Sequence, residues 1–160
     1  MKSIKADTYS VYFKHEGYNV LNELIRSKKY SSIFLLVDEN SLEYCYPNFF
    51  PLLEVDDKIE IIEIKSGEIH KNIHTCLNVW NELTKLNADR KSLLISLGGG
   101  VITDLGGFVA STYKRGIDFV NIPTTLLSMV DASIGGKTGV DLGVVKNQIG
   151  MFVNPELVIV

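Results

Sequence analysis

The sequence predicts an α/β domain with a doubly wound, mainly parallel sheet flanked by helices. Three observations lead to this prediction. Apolar, strand-like segments alternate with helical patterns along the 160 residues, and this order implies parallel strands with right-handed crossovers. A run of three glycines joins one buried strand directly to a helix. Hydrophobic residues make up 46% and charged residues 22% of the chain, as in ordinary globular domains.

The first half of the chain contains two predicted strands and one predicted helix. Ser32–Asp38 and Lys58–Lys65 each carry an apolar run of strand length. The segment from His70 to Asn87 is predicted to be an amphipathic helix. Its apolar residues at helical spacing are Ile73, Leu77, Trp80 and Leu83.

The second half continues the alternation. Ser92–Leu97 is a predicted buried strand that runs into the triple glycine, and a helix is expected from about Val101 to Tyr113. Asp118–Ile122 is the next predicted strand, and Pro123 is predicted to open a helical run through Ile134. All these elements fit one domain over residues 1–160.

The remaining segments are less regular. Lys137–Asp141 and Val144–Lys146 are predicted to form a hairpin around Gly143. Leu157–Val160 is an apolar run that resembles a strand interrupted midway, so we expect the chain to be a fragment of a longer protein.

Polar residues follow the predicted strands where each one ends. They are Asp38–Asn40, Ser66–Glu68, the triple glycine Gly98–Gly100, and Thr124–Thr125. In parallel α/β sheets the carboxyl ends of the strands share one edge, and ligands bind beyond that edge. We therefore expect the site there.

The glycine loop favours phosphate binding. Glycines between a strand and a helix let a pyrophosphate approach the N–H groups at the helix start, where the helix dipole also attracts negative charge. The alternative is a tight turn that requires positive φ. Two familiar nucleotide motifs do not match, because Thr103 replaces the last glycine of GxGxxG and Asp131 replaces the first glycine of a P-loop.

Composition excludes several other classes of protein. The 16 basic and 19 acidic residues give a net charge of −3, and no basic run indicates a nucleic-acid surface. No apolar segment is long enough to span a bilayer and no leader is evident, so a cytoplasmic protein is expected. Cys45 and Cys76 are expected to be reduced thiols. His70 and His74 have the i,i+4 spacing of a metal pair, but exposure to solvent is favoured.

Polar and charged side chains are concentrated in the apolar and glycine-rich stretch that begins at Ile122 and ends at Phe152. They are Thr124, Thr125, Asp131, Lys137, Lys146 and Asn147. Charge in an apolar setting is costly unless it is paired or meets a ligand. An aspartate and two lysines beside glycine turns suit an anionic, hydroxylated substrate. The alternative is that each charge points to water.

Taken together, these motifs resemble the 3-dehydroquinate synthases. The resemblance rests on GGGVITDLGGF at Gly98–Phe108, on Lys114–Gly116 and on the run IPTTLLSMVDASIGGKTGVDLGVVKNQIGMF at Ile122–Phe152. Asp38–Asn40 and Ser66–Lys71 also fit it. It implies a Rossmann-like, NAD-binding N-terminal domain, followed in the family by a helical domain that holds zinc or cobalt and has no counterpart in this chain.

The resemblance also implies roles for particular residues. The implied NAD-binding residues are Asp38, Asn40, Glu68, Lys71, Gly98, Gly99, Gly100, Val101, Asp104, Thr124, Thr125, Lys137 and Lys146. The implied catalytic and substrate-binding residues are Asp131, Lys137, Lys146, Asn147 and Arg115, of which Arg115 would reach the substrate phosphate across a homodimer interface. None of the implied metal ligands lies in this chain.

The implied reaction converts 3-deoxy-D-arabino-heptulosonate 7-phosphate, a small anionic sugar phosphate, to 3-dehydroquinate and phosphate, with NAD oxidising the substrate transiently. Because the metal ligands are absent, we expect the chain alone to be inactive. Three other interpretations stay open: another sugar-phosphate cyclase, a glycerol dehydrogenase-like alcohol dehydrogenase, and a non-catalytic NAD-binding module.

Overall fold

A computed structural model describes residues 3–6, 8–54 and 59–160. The strands are β1 (Ser3–Lys5), β2 (Ser10–Tyr12), β3 (Ile33–Asp38), β4 (Ile59–Ile64), β5 (Leu93–Gly98), β6 (Asp118–Pro123), β7 (Lys137–Leu142), β8 (Val145–Phe152) and β9 (Leu157–Ile159). The α-helices are α1 (His15–Lys28), α2 (Glu39–Tyr44), α3 (Tyr46–Phe49), α4 (Ile73–Lys85) and α5 (Gly100–Thr112). A π-helix spans Ser128–Ala132.

Seven strands form one sheet in the order β1-β2-β9-β6-β5-β3-β4. Only β1 and β2 pair antiparallel; every other neighbouring pair is parallel. Strands β7 and β8 form a separate antiparallel hairpin. The doubly wound α/β fold with a mainly parallel sheet is therefore confirmed.

Helices cover both faces of this sheet, which explains why its central strands are apolar along their whole length. All residues of β5 are buried, and so are the first five of β3. Helices α4 and α5 pack on one face, and α1 and α3 pack on the other. Strands that are buried on both sides carry continuous apolar runs rather than alternating ones.

The predicted helix at His70–Asn87 is shorter than expected. Asn72 caps α4 by accepting a hydrogen bond from the Thr75 N–H, so the helix begins at Ile73 and not at His70. Its buried face contains Cys76, Val79 and Leu83. The expectation for Leu77 was wrong: this side chain is 50% exposed, because it follows Cys76 by one residue and is rotated about 100° from it.

The predicted helical run from Pro123 to Ile134 was also wrong in part. Pro123 is the last residue of β6 and pairs with Gly98, which a proline can do at a strand end because no N–H is then required. Thr125 and Ser128 then bond to each other through their hydroxyls at 2.9 Å. Helical structure is confined to a short segment that includes the π-helix.

The hairpin was predicted correctly, but β8 extends to Phe152 and is longer than expected. Gly143 has φ 60° in its turn. The hairpin packs against α5, where a Cβ atom added to Gly107 would lie 2.6 Å from Cγ2 of Thr138. Glycine at this position therefore sets how closely the hairpin approaches the sheet layer.

Three other findings complete the fold. The predicted strands at residues 32–38, 92–97 and 118–122 are confirmed within one residue at each end. Residue 58, the first of the predicted strand ending at Lys65, lies outside the described residues. Strand β4 confirms the prediction over Ile59–Ile64 and ends one residue before Lys65. Within the described ranges, no helix combines the length and the apolar character required to cross a membrane.

Candidate functional site

The glycine loop links β5 to α5 with ordinary backbone angles. Gly98 ends the strand, Gly99 is the N-cap residue with φ −76°, and Gly100 begins the helix. None of the three has positive φ, so the tight turn considered from the sequence is not the reason for these glycines. Their contacts show that space is the reason: a Cβ atom on Gly99 would lie 3.1 Å from Cγ2 of Thr125.

The start of α5 leaves backbone donors available. The first N–H groups of a helix have no intrahelical acceptor, and the helix dipole concentrates positive potential there. Gly99 provides no side-chain cap. Gly100 and Val101, in the first turn, line a cavity. This end of the helix can therefore bind an anion through its backbone.

The cavity has a volume of about 580 Å³, within the range of small-molecule sites. It lies between the start of α5, the segment before α4, the π-helix and the β7–β8 hairpin. Its lining residues are Glu68, Lys71, Gly100, Val101, Asp104, Leu127, Asp131, Ala132, Lys137, Thr138, Gly139, Asn147, Gly150, Met151 and Phe152.

A buried lysine organises the polar wall of this cavity. The side chain of Lys71 is only 5% exposed. Its ammonium donates to Oδ2 of Asp104 at 2.5 Å and to Oδ1 of Asn147 at 2.7 Å. These two bonds use two of its three protons, and the third can serve a ligand. Three residues that the resemblance implies are thus joined in one network.

Asp104 lies on the second turn of α5, and its side chain is 18% exposed. Burial raises the pKa of its carboxyl above the usual value, and the ammonium of Lys71 opposes that change. Glu68 and Asp131 also raise this pKa through like-charge repulsion. The ammonium of Lys71 therefore favours the ionised form of this carboxyl, because a buried carboxylate without a cation would be unfavourable.

Two exposed ion pairs involve residues of the cavity wall, although Lys146 does not itself line the cavity. Lys146 contacts Oε1 of Glu68 at 2.6 Å, and this hydrogen bond raises the pKa of Lys146. Lys137 lies 3.5 Å from Oδ1 of Asp131, and both side chains are more than half exposed. Such exposed pairs contribute little to stability, so these lysines can exchange their partners for an anionic ligand.

Other implied residues lie at the same edge of the sheet but do not line the cavity. Asp38 caps α2 by accepting from the Ser41 N–H at 2.7 Å, and Asn40 is exposed beside it. Thr124 donates its N–H to the Gly98 carbonyl, and Thr125 is exposed. Within the glycine loop, Gly98 is buried and Gly99 is half-buried. These residues lie around the start of α5 but outside the cavity.

Arg115 lies far from this cavity. It follows the C-terminal end of α5 in left-handed backbone, φ 72°, and its side chain is exposed near Asp89, Arg90 and Lys114. Because α5 has 13 residues, about 20 Å separate its two ends. The structure therefore does not bring Arg115 to the cavity of its own chain.

The residues considered for metal binding are dispersed. His74 is exposed and His70 is half-buried. Cys45 and Cys76 are both free thiols, and burial raises the pKa of Cys76 to about 12. In the part of the chain that the structure describes, no three histidine, cysteine or acidic residues come close enough together to hold a metal ion.

Sequence reasoning missed part of the cavity wall, namely Leu127, Ala132, Thr138, Gly139, Gly150, Met151 and Phe152. It also missed Asp141, whose Oδ1 accepts from the Asn147 N–H at 2.7 Å. The alternation of β8 across from β7 could have indicated which hairpin residues share a face. No local pattern indicates the bond between Asp141 and Asn147.

Comparison with known proteins identifies related sequences. A family model described as 3-dehydroquinate synthase N-terminal matches residues 61–160. The 3-dehydroquinate synthase of Alkaliphilus oremlandii is 45% identical over 154 residues, which are 94% of this chain and 42% of that protein. The chain spans less than half the length of the curated relatives that it matches.

Solved structures share the fold. A 2-deoxy-scyllo-inosose synthase complexed with carbaglucose-6-phosphate, NAD+ and Co2+ has a TM-score of 0.83 at 22% identity, covering 99% of this chain and 45% of that one. A 2-epi-5-epi-valiolone synthase from Streptomyces hygroscopicus with NAD+ and Zn2+ bound has a TM-score of 0.76 at 26% identity, covering 99% and 44%.

Proposed function

Because this chain belongs to the 3-dehydroquinate synthase family, we propose that it forms the NAD-binding half of an enzyme that converts 3-deoxy-D-arabino-heptulosonate 7-phosphate to 3-dehydroquinate and phosphate. One observation carries the proposal. The uncapped start of α5 opens into a cavity that also contains Lys71, Asp104, Lys137 and Asn147. Such a cavity combines backbone donors for phosphate with side chains for a hydroxylated anion.

The residues present fit a dinucleotide. The first N–H groups of α5 would hold the pyrophosphate, and the glycines there leave room for its approach. Asp38, Asn40, Thr124 and Thr125 border this region and would contact the rest of NAD. Lys71 would direct its remaining proton toward the ligand while Asp104 keeps the ammonium in place. When bound, NAD supplies a hydride acceptor.

The substrate would occupy the opposite part of the cavity, near the hairpin. Lys137 and Lys146 are exposed cations that can meet an anionic sugar phosphate. Asp131 and Asn147 supply acceptors and donors for hydroxyl groups. We propose that these residues bind and orient the substrate beside the nicotinamide, because orientation in a bound complex accounts for much of an enzyme's rate.

The position of Arg115 supports a homodimer. A side chain at the far end of α5 cannot contact substrate in its own cavity, so a role in phosphate binding requires a second copy of the chain. Exposure of Arg115 and its neighbour Lys114 leaves them available for that contact. We propose that Arg115 of the partner subunit contacts the substrate phosphate.

The residues that the structure describes do not form a metal site. The relatives are more than twice as long as the region matched here, and we propose that their remaining sequence supplies the zinc or cobalt ligands. That sequence would also cover Leu127 and Phe152, which are 67% and 86% exposed at the cavity. The chain alone would then be inactive; turnover by the isolated chain with added zinc contradicts this.

Sequence identity favours the synthase over the other cyclases. Identity is 45% to a 3-dehydroquinate synthase but 26% to the 2-epi-5-epi-valiolone synthase. Glycerol dehydrogenases share the fold at 17% and 18% identity. These values support the synthase reaction as the first activity to test.

Calorimetric titration of NAD into the chain tests the cofactor site, with Gly100→Ala as the variant. A Cβ atom at Gly100 lies 3.4 Å from Cβ of Ala132, an ordinary contact, so the fold tolerates alanine. Gly100 does not have positive φ, so alanine introduces no backbone strain there. The added methyl group narrows the approach to the helix start, and we expect NAD affinity to fall at least about tenfold while the unfolding midpoint holds or rises.

The two measurements separate folding from binding. Equal NAD affinity in wild type and Gly100→Ala would contradict a pyrophosphate at the start of α5. Absence of binding by the folded wild-type chain, as judged by circular dichroism, would contradict an autonomous NAD site.

A further inference from the structure

We propose that Asp141 is a positioning residue that orients Lys71 and Asn147 at the cavity. This inference rests on the proposed function, since the positioned groups are those that would meet NAD and substrate. Asp141 lies at an irregularity of the β7–β8 ladder, between Val140 and Leu142. It is half-buried and does not line the cavity.

Asp141 closes a ring of three hydrogen bonds. Its N–H donates to the Lys71 carbonyl at 2.9 Å, and its Oδ1 accepts from the Asn147 N–H at 2.7 Å. The ammonium of Lys71 then donates to Oδ1 of Asn147 at 2.7 Å. The backbones of Lys71 and Asn147 are thus both fixed by Asp141, and their side chains meet at the cavity wall.

The backbone of Asn147 shows what the carboxylate stabilises. Asn147 has φ 53° within β8, a left-handed conformation that asparagine adopts more readily than most residues but that departs from the extended strand around it. The bond from its N–H to a carboxylate is charge-assisted and stronger than a neutral one. Without that acceptor, residue 147 can relax toward an extended strand, which would swing its amide away from Lys71.

The segment before α4 is held by the same residue. Lys71 lies between a short 3-10 turn at Glu68–His70 and the helix. Its carbonyl bond to Asp141 extends into an isolated bridge between Asn72 and Asp141. One residue of the hairpin therefore fixes both a loop and a strand that carry cavity side chains.

NAD affinity in three single variants tests the proposal. Asp141→Ala removes the acceptor and is expected to weaken NAD binding about tenfold, because a hydrogen bond to a charged group is lost. Asp141→Asn keeps an acceptor oxygen in place and is expected to stay within about threefold of wild type. Glu82→Ala removes a solvent-facing carboxylate of α4 that pairs with Lys85, and this control is expected to bind as wild type does.

A double-variant cycle distinguishes positioning from general destabilisation. Asn147→Gly removes the positioned amide but tolerates positive φ. In that background Asp141→Ala should change NAD affinity less than about twofold, because the side chain through which it acts is gone. Three outcomes would overturn the proposal: wild-type affinity in Asp141→Ala, equal losses in both backgrounds, or an Asp141→Asn variant as weak as Asp141→Ala.

Hydrogen exchange at the Asn147 amide provides a readout that needs no cofactor. Protection of this amide should fall in Asp141→Ala and persist in Asp141→Asn. If the wild-type chain binds no NAD, the autonomous NAD site is contradicted, while this measurement still tests the role of Asp141. Unchanged protection in Asp141→Ala would overturn the positioning role.

Discussion

Two lysine–aspartate pairs line the same cavity but differ in burial. The side chains of Lys71 and Asp104 are 5% and 18% exposed, whereas those of Lys137 and Asp131 are 63% and 64% exposed. Water screens the second pair and leaves the first in a setting of lower polarity. The same two residue types therefore have different consequences for folding.

Removal of each aspartate should reveal this difference. Asp104→Ala leaves the ammonium of Lys71 buried without its carboxylate, and we expect a loss of about 3–5 kcal/mol in unfolding free energy. Asp131→Ala is the matched control and should change it by less than about 0.5 kcal/mol. Urea unfolding followed by circular dichroism measures both. Equal effects would mean that Lys71 finds another partner or reaches water in the variant.

The sequence indicated which residues belong to the site better than it indicated which of them contact each other. Asp104, Lys71 and Asn147 were implied as site residues, and the structure joins them. Asp38 was also implied, yet its carboxylate caps α2, a local use that competes with a ligand. Asp141 was missed because its role depends on an irregular ladder position, which no spacing rule reveals.

Glycines on two sides of helix α5 allow it to pack closely against the sheet and against the hairpin. A Cβ atom at Gly106 would collide with Oγ of Ser96 in β5, and one at Gly107 would lie 2.6 Å from Cγ2 of Thr138 in β7. The helix thus lies close to both the sheet and the hairpin. Its position in turn places Gly100, Val101 and Asp104 at the cavity.

Gly107→Ala is expected to destabilise the protein although alanine favours helices. The added methyl group overlaps Thr138, and overpacking of this kind costs about 1–3 kcal/mol. Combining it with Thr138→Ala removes Cγ2 and should recover part of the loss, even though the hydroxyl bond to the Met151 carbonyl is also lost. Chemical denaturation of the single and double variants measures this. Failure of the second change to recover stability would place the strain elsewhere, for example at the ring of Phe119.

The elements that sequence reasoning found are those whose pattern is local and strong. Strand β5 is a continuous apolar run that ends in glycine, and it was predicted within one residue. Strands β1 and β2 have three residues each, too short for a periodic signal. The segment after Pro123 was predicted as a longer helix because its composition is typical of helices. In the structure, the hydrogen bond between the Thr125 and Ser128 hydroxyls and the π-helix interrupt a regular α-helix.

At the scale of the molecule, one side of the cavity is unusually apolar and exposed. Leu127, Met151 and Phe152 line the cavity and are exposed. The other exposed large apolar side chains of the π-helix region and the hairpin are Leu126, Val130, Leu142, Val144 and Val145. Exposed apolar surface at a cavity is typical of an interface. It agrees with the proposal that further sequence in the longer relatives covers this side.

Replacing Leu127 and Phe152 by serine in one variant should reduce self-association of the isolated chain. Both side chains are exposed, so little folding energy is lost and the unfolding midpoint should shift by no more than about 2 °C. Val140→Ser, at a position 0% exposed, is the contrasting change and should lower the midpoint clearly. Light scattering across a concentration series measures association. A wild-type chain that is monomeric at every concentration would show that this surface does not cause self-association.

The fold class was predictable because the whole sheet obeys one rule, the alternation of buried strands with helices. The residues that enclose the cavity could not be predicted, because the hairpin that forms one wall contacts α5 only through tertiary packing. The charge composition argued against a nucleic-acid partner, but only the packed structure distinguishes buried lysines from exposed ones.

Strand β9 is the last strand along the chain but lies third across the sheet, between β2 and β6. Lys14 and Tyr12 bond to the backbone of Val160, which follows it, and Gly17 of α1 packs against Ile159. During synthesis, β1, β2 and α1 are made before β9, yet their place in the sheet does not exist until β9 emerges. Such long-range pairing slows folding. The nascent segment that contains β1, β2 and α1 must therefore wait, with its apolar surface uncovered, until β9 is made.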